Sequence, residues 1–585
     1  MSVTFQKILT WIQTNRSLLI TVGLWVAWLI GANALREMRK PWEIEGEPST
    51  TADFIAIGGF RAGIFSLAVA ALLIATRKWW FRLAGGREAV PTGPRIRVGR
   101  RGWIGILAVL IFATALRAPM MDRMVLRDEQ DNLRRNIFGF HYIELHKRTL
   151  EFFEVEWPDA FFENRLANNP IAFSVLSKAS LEIWRELTGA PEDQFSKIAF
   201  RMPSLIFGVA SIFLLWLFLT LLRRPISALL ASVLAAIHPL HLEYSVQARG
   251  YGIVLFCAGL IAVCGLLAVR RGRWRYWFVL AIGLMGMLYA FAGAIYFVAP
   301  TGLALIVFLA WQCFKNRESG AGARLTRFLI SCLVVGTIYT QLVAPSLPQI
   351  AAHLGGKYEH IPLHPRWLIT TYHQHTTGIW LSEEIHNHVE SEGLSIYDSW
   401  WKNFGAVWRW HTATFFPNEP LHAILIFLII PTLAVVGFLA VWKMGGIVRW
   451  LAVAGVLAPV LDFVHHHFVT HLYAYFWYWI YSLLWFITFI ALGISASGGW
   501  IGARIKRPDL KPAFTLAVAV LFFGIYLWET KAGRPNRFVR KTGVGPEKIV
   551  FPRGRSEWAI YPNGYQFRAR KGEEIPETFN GLEDE

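Results

Sequence analysis

Residues 124–136 read MVLRDEQDNLRRN, and they closely follow an apolar run, WIGILAVLIFATALRA, at 103–118. The run has the composition of a membrane-spanning helix, which needs about 20 mostly apolar residues. A lipid surface penalises charge, yet Asp128, Glu129 and Asp131 lie just beyond this run. The fold and the function of the chain therefore depend on which side of a membrane these acids occupy, and on what they face.

Two interpretations of the acidic stretch are open. If the stretch is helical, its apolar side chains share one face: Leu126, Leu133, Ile137 and Phe140. Asp128, Asp131 and Asn132 are spaced i, i+3 and i+4, so they form a neighbouring polar face, as expected of a helix lying on a membrane surface. Alternatively, Arg127 and Arg135 pair with Asp131, and the stretch is an ordinary surface helix with ion pairs.

The composition predicts a polytopic membrane protein. Hydrophobic residues make up 54% of the 585 residues and charged residues only 17%, whereas a soluble domain carries roughly 25% charged residues. The net charge of +18 is explained by Lys and Arg in short cytoplasmic loops, and no separate basic domain indicates nucleic acid. The four cysteines lack metal-type spacing and are expected to be small core residues.

Thirteen apolar runs are long enough to be spans. They lie at 17–35, 53–76, 102–118, 202–222, 226–240, 251–269, 276–291, 294–312, 328–345, 421–442, 449–465, 472–495 and 512–529. The first run is long for a signal peptide and has no convincing cleavage site, so we expect a retained anchor.

Basic loops orient these spans. Five basic loops fall on the same side of a chain with thirteen spans: 77–101, 223–224, 270–275, 315–327 and 504–511. Positive loops are cytoplasmic, so the N-terminus is predicted inside and the C-terminus outside. The segments 119–201 and 346–420 and the tail are then external, and WAIYPNGYQF at 558–567 has the alternation of a hairpin.

The expected organisation follows from this map. Two N-terminal helices and a basic cytoplasmic loop occupy 1–101, and a transmembrane core with external juxtamembrane helices occupies 102–345. A second external segment (346–420), further transmembrane helices (421–529) and the external tail (530–585) complete the chain.

Four motifs occur in order on the predicted external side. They are Asp128-Glu129, Asn169-Pro170-Ile171, Arg201-Met202-Pro203-Ser204 with Gly208, and Pro239 followed by Tyr244-Ser245, Ala248-Arg249 and Tyr251. Over about 102–300 the sequence resembles the family 39-like membrane glycosyltransferases of the GT-C fold, which include protein O-mannosyltransferases and aminoarabinose transferases. It departs from them at Asn168 or Asn169, which stands where the first His of a His-Pro-Pro stretch is usual, and one Pro of that stretch is missing. It departs again at Trp477-Tyr478, where a late Arg is usual.

The resemblance implies an all-α GT-C fold and an inverting transfer of sugar from a polyprenyl-phosphate donor to an acceptor hydroxyl. Asp128 would be the general base, Glu129 would orient the acceptor or support Asp128, and Asp131 would help bind a divalent cation. Arg201 and Arg249 would contact the donor phosphate, and Tyr244 and Tyr251 would line the same pocket. The alternative is that these side chains only lie at the membrane interface, the arginines reaching toward water and the tyrosines forming part of an aromatic belt. The acceptor would be a glycan, a lipid or a protein, and the location the inner membrane of a bacterium.

Histidines offer a second metal hypothesis. His467 and His471 are spaced i, i+4, which suits chelation on a helix, and His373 and His375 would share a face on a strand. The alternative is that the histidines are polar lining of an external groove.

Two other classes of protein remain as alternatives. A lipid or glycan transporter or flippase would need charged or broken spans and inverted repeats, whereas the predicted span centres are largely free of charge. A non-catalytic envelope assembly protein would not need acids and arginines together at external membrane boundaries.

Overall fold

The computed structural model describes most of the chain after residue 49. The described residues are 6, 23, 50–85, 98–123, 125, 127–144, 149–165, 169–315, 320–354, 365–378, 382–395, 398–418, 420–470, 476–530, 547–550, 556–560 and 566–570.

Helices dominate the described residues. In chain order they are α1 (Thr51–Ala75), α2 (Arg77–Ala84), α3 (Arg100–Arg117), α4 (Arg127–Asn132), α5 (Trp157–Phe162), α6 (Ile171–Thr188), α7 (Lys197–Leu221), α8 (Pro225–Ile237), α9 (Pro239–Tyr244), α10 (Tyr251–Arg271), α11 (Trp274–Ala290), α12 (Ile295–Lys315), α13 (Ala321–Val343), α14 (Leu347–Leu354), α15 (Pro365–Thr377), α16 (Ser382–Ser391), α17 (Trp400–Asn418), α18 (Pro420–Ile424), α19 (Ile430–Met444), α20 (Gly446–Val464), α21 (Leu483–Arg504) and α22 (Lys511–Thr530).

Ten helical stretches in the described part of the chain are long and apolar enough to cross a membrane. They are Thr51–Ala75, Arg100–Met120, Lys197–Leu221, Tyr251–Arg271, Ala292–Lys315, Ala321–Val343, Pro420–Met444, Gly446–Thr470, Tyr478–Arg504 and Pro508–Thr530. Two shorter apolar helices, Pro225–Ile237 and Trp274–Ala290, lie between them. Together they coincide with twelve of the thirteen predicted runs, and the predicted span at 17–35 lies outside the described residues. The predicted class, an all-α polytopic integral membrane protein, is confirmed.

Short connections bring the predicted motifs to one end of the helical bundle. Only residues 222–224 separate α7 from α8, and only 272–273 separate α10 from α11. Consecutive spans joined this way run in opposite directions, so the end of α3 and the beginnings of α7 and α10 lie on the same side. This is the side that carries the acidic stretch.

The acidic stretch is helical, as predicted, but the helix is shorter than its apolar pattern indicated. Helix α4 continues as a π-helical turn, Leu133–Ile137, and the chain then enters a strand at Gly139. Gly139 has φ +128°, and a Cβ there would lie 1.9 Å from the Phe153 carbonyl oxygen. The expectation that Phe140 shares the helical face is therefore wrong, because the chain leaves the helix at a backbone conformation that favours glycine.

A five-stranded sheet joins the segment 119–201 to the tail. Its strands are β1 (Gly139–Glu144), β2 (Thr149–Glu154), β3 (Glu547–Val550), β4 (Ser556–Ile560) and β5 (Gln566–Arg570). The order is β2-β1-β5-β4-β3, with β1 parallel to β5 and the other neighbours antiparallel. The predicted tail hairpin is confirmed by β4 and β5, whereas the strands of the segment 119–201 were not predicted.

Small residues of the motifs let α7 and α10 approach each other closely. A Cβ on Gly208 would lie 2.1 Å from Ser245 Cβ, and one on Gly252 would lie 2.7 Å from the Ser204 carbonyl oxygen. The Ser204 hydroxyl donates to the Arg249 carbonyl at 3.1 Å. The serines and glycines of the third and fourth motifs therefore serve the packing that positions the site.

Candidate active site

Glu129 is at the centre of the site. Its side chain is completely buried, and the Arg201 guanidinium donates to both carboxylate oxygens, from Nε to Oε1 at 3.2 Å and from Nη2 to Oε2 at 2.7 Å. The Ala248 backbone N–H also donates to Oε1, at 2.5 Å. Burial alone would raise the pKa of Glu129, but the Arg201 and Arg123 guanidinium groups hold that pKa below its ordinary value.

Arg201 is equally buried and fixes the segment between α3 and α4. Its Nη1 donates to the carbonyl oxygens of Met121, at 2.9 Å, and Arg123, at 2.7 Å. Both edges of the guanidinium are thus engaged by the protein. The predicted phosphate contact of Arg201 stays a prediction, and the geometry found is that of a clamp.

The second motif also reaches the acidic helix. The Ser174 hydroxyl lies 3.1 Å from Asn132 Oδ1 and 2.6 Å from Asn169 Oδ1. Pro170 lies against the fourth motif, since a Cβ on Gly250 would be 3.1 Å from Pro170 Cβ. All four motifs predicted from the sequence therefore converge on helix α4 and its neighbours.

Asp128 belongs to the same helix, and its backbone is therefore next to the buried Glu129. Its side chain lies outside what the structure describes. Its role as general base stays a prediction.

The predicted tyrosines line up beside an arginine. The rings of Tyr244 and Tyr251 are edge to face, with centroids 4.9 Å apart. The Arg249 guanidinium lies over the Tyr251 ring, 5.7 Å from its centroid. All three residues are buried, so they form a pocket wall or packing rather than an exposed interface belt.

Arg123 was missed by sequence reasoning. It is 6% exposed, and its Nη1 donates to Glu243 Oε2 at 2.6 Å. Among the described residues, Nε and Nη2 have no hydrogen-bond partner. A buried N–H group without an acceptor costs about 1–3 kcal/mol, so these two donors call for an explanation.

A second buried polar cluster lies beside the fourth motif. Arg117 donates from Nε to the Ser245 hydroxyl at 2.6 Å, and its Nη2 is 2.9 Å from His241 Nδ1. Burial and the Arg117 charge hold the pKa of His241 well below its ordinary value. A neutral His241 accepting at Nδ1 carries its proton on Nε2, which donates to the Ser211 hydroxyl at 3.0 Å.

The metal candidates do not assemble into a site. Asp131 pairs with Arg134 Nη2 at 2.6 Å, a partner that the sequence analysis did not name. His467 is buried, and His471 lies outside the described residues. Within the described ranges, no group of three or more His, Cys, Asp or Glu could hold a metal ion. Metal binding by Asp131, or by His467 with His471, stays a prediction.

A second acidic centre near the ends of the later spans was not predicted. Asp462 is fully buried; its Oδ1 is 2.6 Å from His466 Nδ1, and the Tyr481 hydroxyl donates to Oδ2 at 3.1 Å. The Tyr296 hydroxyl is 2.5 Å from His465 Nδ1. Asp462 and His466 are spaced i, i+4 within the continuous helical stretch Gly446–Thr470, and this spacing was the available sequence signal.

Histidines in and beside the segment 346–420 also form a cluster. His373 Nε2 and His411 Nε2 are 2.6 Å apart, and the His373 and His422 rings stack with centroids 5.9 Å apart. His422 Nδ1 is 3.4 Å from Glu529 Oε2 at the end of α22. The sequence hypothesis paired His373 with His375, but on helix α15 these two residues lie on different faces.

The fold defines a polytopic all-α membrane protein, and comparisons add the following. No protein-family model and no curated protein matches the chain. Three solved structures that resemble it are of the Archaeoglobus fulgidus oligosaccharyltransferase: a complex with Zn and sulfate, the apo form, and a form tethered to an acceptor peptide with the NVT sequon. Their identities are 14%, 15% and 13%, and their TM-scores 0.39, 0.41 and 0.39.

These alignments cover 73%, 74% and 74% of the chain but 53%, 57% and 55% of the oligosaccharyltransferase chains. The chain thus spans about half the length of the structures it resembles. What it does has to be inferred from its own residues.

Proposed function

We propose that this protein is an integral-membrane glycosyltransferase of the GT-C type. It transfers a sugar, with inversion, from a polyprenyl-phosphate-linked donor to an acceptor hydroxyl of a glycan, a lipid or a protein. The reaction takes place on the external face of a bacterial inner membrane, with the N-terminus of the chain in the cytoplasm.

One observation carries the proposal. Glu129 of the first motif binds Arg201 of the third and the Ala248 N–H of the fourth, and Ser174 joins the second motif to the acidic helix. Residues up to 119 positions apart in sequence thus meet beside Asp128, at the end of the bundle where spans α3, α7 and α10 have their ends. A structural role alone does not require an adjacent acid at a membrane boundary.

The arrangement divides the work between the two acids. Both oxygens of Glu129 are occupied by Arg201 and Ala248, so Glu129 acts as a positioning residue. Asp128 takes the proton of the acceptor hydroxyl while the hydroxyl oxygen forms a bond to carbon 1 of the sugar. The bond from carbon 1 to the phosphate oxygen breaks at the same time, and polyprenyl phosphate leaves.

The phosphate group of the donor requires positively charged side chains that keep their charge at the lipid boundary. Arg249, over Tyr251 and near Tyr244, supplies one on this proposal. A guanidinium stays charged when buried and matches phosphate geometry. We derive no step through a metal ion, because Asp131 is paired with Arg134 and the described residues hold no metal-binding group.

The experiment compares membranes containing wild-type protein with membranes containing Asp128→Asn. The donor is first identified as the sugar-lipid that copurifies with the protein, and transfer from the radiolabelled donor is then measured. Loss of a general base predicts a decrease of roughly 100- to 10 000-fold. Asp122→Asn is the matched control, because Asp122 is an exposed acid of the same segment.

Undiminished transfer by Asp128→Asn would remove Asp128 as the base. If no copurifying sugar-lipid is consumed by the wild-type protein, the transporter and envelope-assembly alternatives gain instead. Movement of the intact lipid across vesicle membranes then separates these two.

A further inference from the structure

Among the described residues, no hydrogen-bond acceptor meets one edge of the Arg123 guanidinium. Its Nη1 donates to Glu243 Oε2 at 2.6 Å, while the buried Nε and Nη2 have no hydrogen-bond partner in the part of the chain that the structure describes. Nε–H and Nη2–H point the same way and form the fork that grips two oxygens of one anion. The edge left over is therefore the one suited to bidentate binding.

Arg201 shows what this edge does when it has a ligand. Its Nε and Nη2 bind the two oxygens of Glu129, at 3.2 Å and 2.7 Å. Arg201 also donates from Nη1 to the Arg123 carbonyl oxygen, at 2.7 Å. The two arginines are thus neighbours in one rigid unit, and only one of them has a carboxylate on its fork.

The charge around Arg123 is fixed by its neighbours. Burial would lower the pKa of Arg123, but the carboxylates of Glu243 and Glu129 raise that pKa above its ordinary value. Glu243 occupies Nη1 only, and Glu129 is compensated by Arg201. Arg123 therefore remains a cation whose orientation is set before any ligand arrives.

Its position indicates the kind of anion. Arg123 follows the candidate span Arg100–Met120 by three residues, which places it at the membrane boundary. Tyr244 interacts electrostatically with Arg123, and Tyr244 packs on Tyr251, over which Arg249 lies. Two guanidinium groups thus lie near a pair of tyrosines, close to the end of this candidate span.

We propose that the Nε/Nη2 edge of Arg123 binds the phosphate group of a prenyl-phosphate lipid. The inference rests on the proposed function and assigns the phosphate contact to a residue outside the four motifs. Phosphate offers two adjacent oxygens with the spacing that the fork requires, and Glu243 acts as the positioning residue that aims it.

The test measures binding of radiolabelled farnesyl phosphate to the full chain purified in detergent. Arg123→Gln is expected to weaken binding by roughly tenfold or more, because a charge-assisted bidentate contact is lost. Arg123→Lys, which keeps the charge but lacks the fork, is expected to fall between the two. Arg135→Gln, the same change at a half-buried arginine of the same segment, is the matched control.

Two further arms identify what Arg123 recognises. Inorganic phosphate should compete with farnesyl phosphate in wild type and less well in Arg123→Gln. Farnesol, which has no phosphate, should bind wild type and Arg123→Gln equally. An equal loss of farnesol and farnesyl phosphate would overturn the proposal, because Arg123 would then act on the fold or the prenyl chain.

Glu243→Gln keeps the test decisive if Arg123→Gln does not fold. The amide oxygen still accepts from Nη1, while the competing negative charge is gone, so farnesyl phosphate should bind roughly threefold to tenfold more tightly. Unchanged affinity in the folded variants would sink the proposal and point to buried water on the Arg123 edge. Transfer activity is measured separately. If the Arg123 variants bind farnesyl phosphate as wild type does and sugar transfer is intact, only the Arg123 contact is rejected. If binding depends on Arg123 but the wild-type protein transfers no sugar, the glycosyltransferase function is rejected.

Discussion

Acids in the first half of the chain pair with arginine, whereas acids in the second half lie against histidine. Near helix α4, Glu129 and Glu243 are paired with the guanidinium groups of Arg201 and Arg123. In the second half, Asp462 and Glu529 are paired with the imidazoles of His466 and His422. Arginine keeps its charge at every physiological pH, whereas histidine changes charge between about pH 5 and 8.

The difference also extends to exposure. The side chains of Glu129 and Arg201 are both 0% exposed, whereas His466 is 15% exposed beside an Asp462 that is 1% exposed. The arginine pair is a closed clamp that holds motifs together, and the histidine pair is open at one end. We therefore expect the first half to be fixed and costly to disturb, and the second half to respond to pH.

The largest effect is expected from breaking the clamp. Glu129→Gln leaves Arg201 buried without its counter-ion, which costs about 3–5 kcal/mol of unfolding free energy. The measurement is the unfolding transition of the purified protein in detergent. Asp122→Asn, at an acid whose side chain is 78% exposed, should change stability by less than about 1 kcal/mol.

The same pair has a defined pH dependence. Because the pKa of Glu129 lies below its ordinary value, its stabilisation is present above about pH 4.3, the usual value for a free Glu. It is lost as the pH falls through the folded-state pKa. If the stabilisation by Glu129 and Arg201 were instead lost between pH 8 and 6, the two halves of the chain would not differ in their pH dependence.

The next effect comes from the close approach that supports the clamp. Gly208→Ala would place a Cβ 2.1 Å from Ser245 Cβ and push away the turn that offers the Ala248 N–H. Overpacking of this kind costs about 1–3 kcal/mol. Gly302→Ala is the control, since a Cβ there meets nothing within 4 Å; equal stability of the two variants would contradict the packing described.

The histidine cluster is expected to loosen in acid. Burial lowers the pKa of His411 to about 4, and burial together with neighbouring His411 and His422 holds the pKa of His373 well below its ordinary value. Stability is therefore complete above about pH 6.5 and decreases as the pH falls toward the folded-state pKa. Discounted for solvent screening, the loss of local opening free energy between pH 7.5 and 5.0 is about 1–2 kcal/mol.

Hydrogen exchange of α15 and α17, corrected for intrinsic rates, measures this loss. His411→Phe, which can pack on Phe427 as the imidazole does, should flatten the pH dependence. A variant as pH-sensitive as wild type would show that His411 is not the titrating group and would point to His373 instead.

A smaller effect is expected at Asp462. Asp462→Asn keeps an oxygen for the Tyr481 hydroxyl but removes the charge that His466 faces. Polar contacts between membrane helices are worth about 1 kcal/mol, so the unfolding transition should move by that amount. A loss as large as that of Glu129→Gln would show that exposure does not separate the two pairs.

The sequence revealed what is local. Hydropathy located the spans, because a membrane demands a long apolar run for each, and the motif order brought Asp128-Glu129, Arg201 and Ala248 to one side. It did not reveal that Arg201 turns inward onto Glu129, since 72 residues separate them and an arginine at a boundary can equally reach water. The pairing of β1 with β5 was invisible for the same reason, because local alternation does not specify a partner more than 400 residues away.

The smallest effect is expected at Asp131, and it decides the metal question. Asp131 pairs with Arg134 at i, i+3 and its side chain is 37% exposed, so Asp131→Asn should cost less than about 0.5 kcal/mol. If Asp131 instead helped to hold a divalent cation, Mg²⁺ would raise and a chelator would lower the unfolding midpoint of wild type but not of Asp131→Asn, since a ligand that binds only the folded state stabilises it. We expect no such difference, because Arg134 already provides the positive charge that a cation would supply.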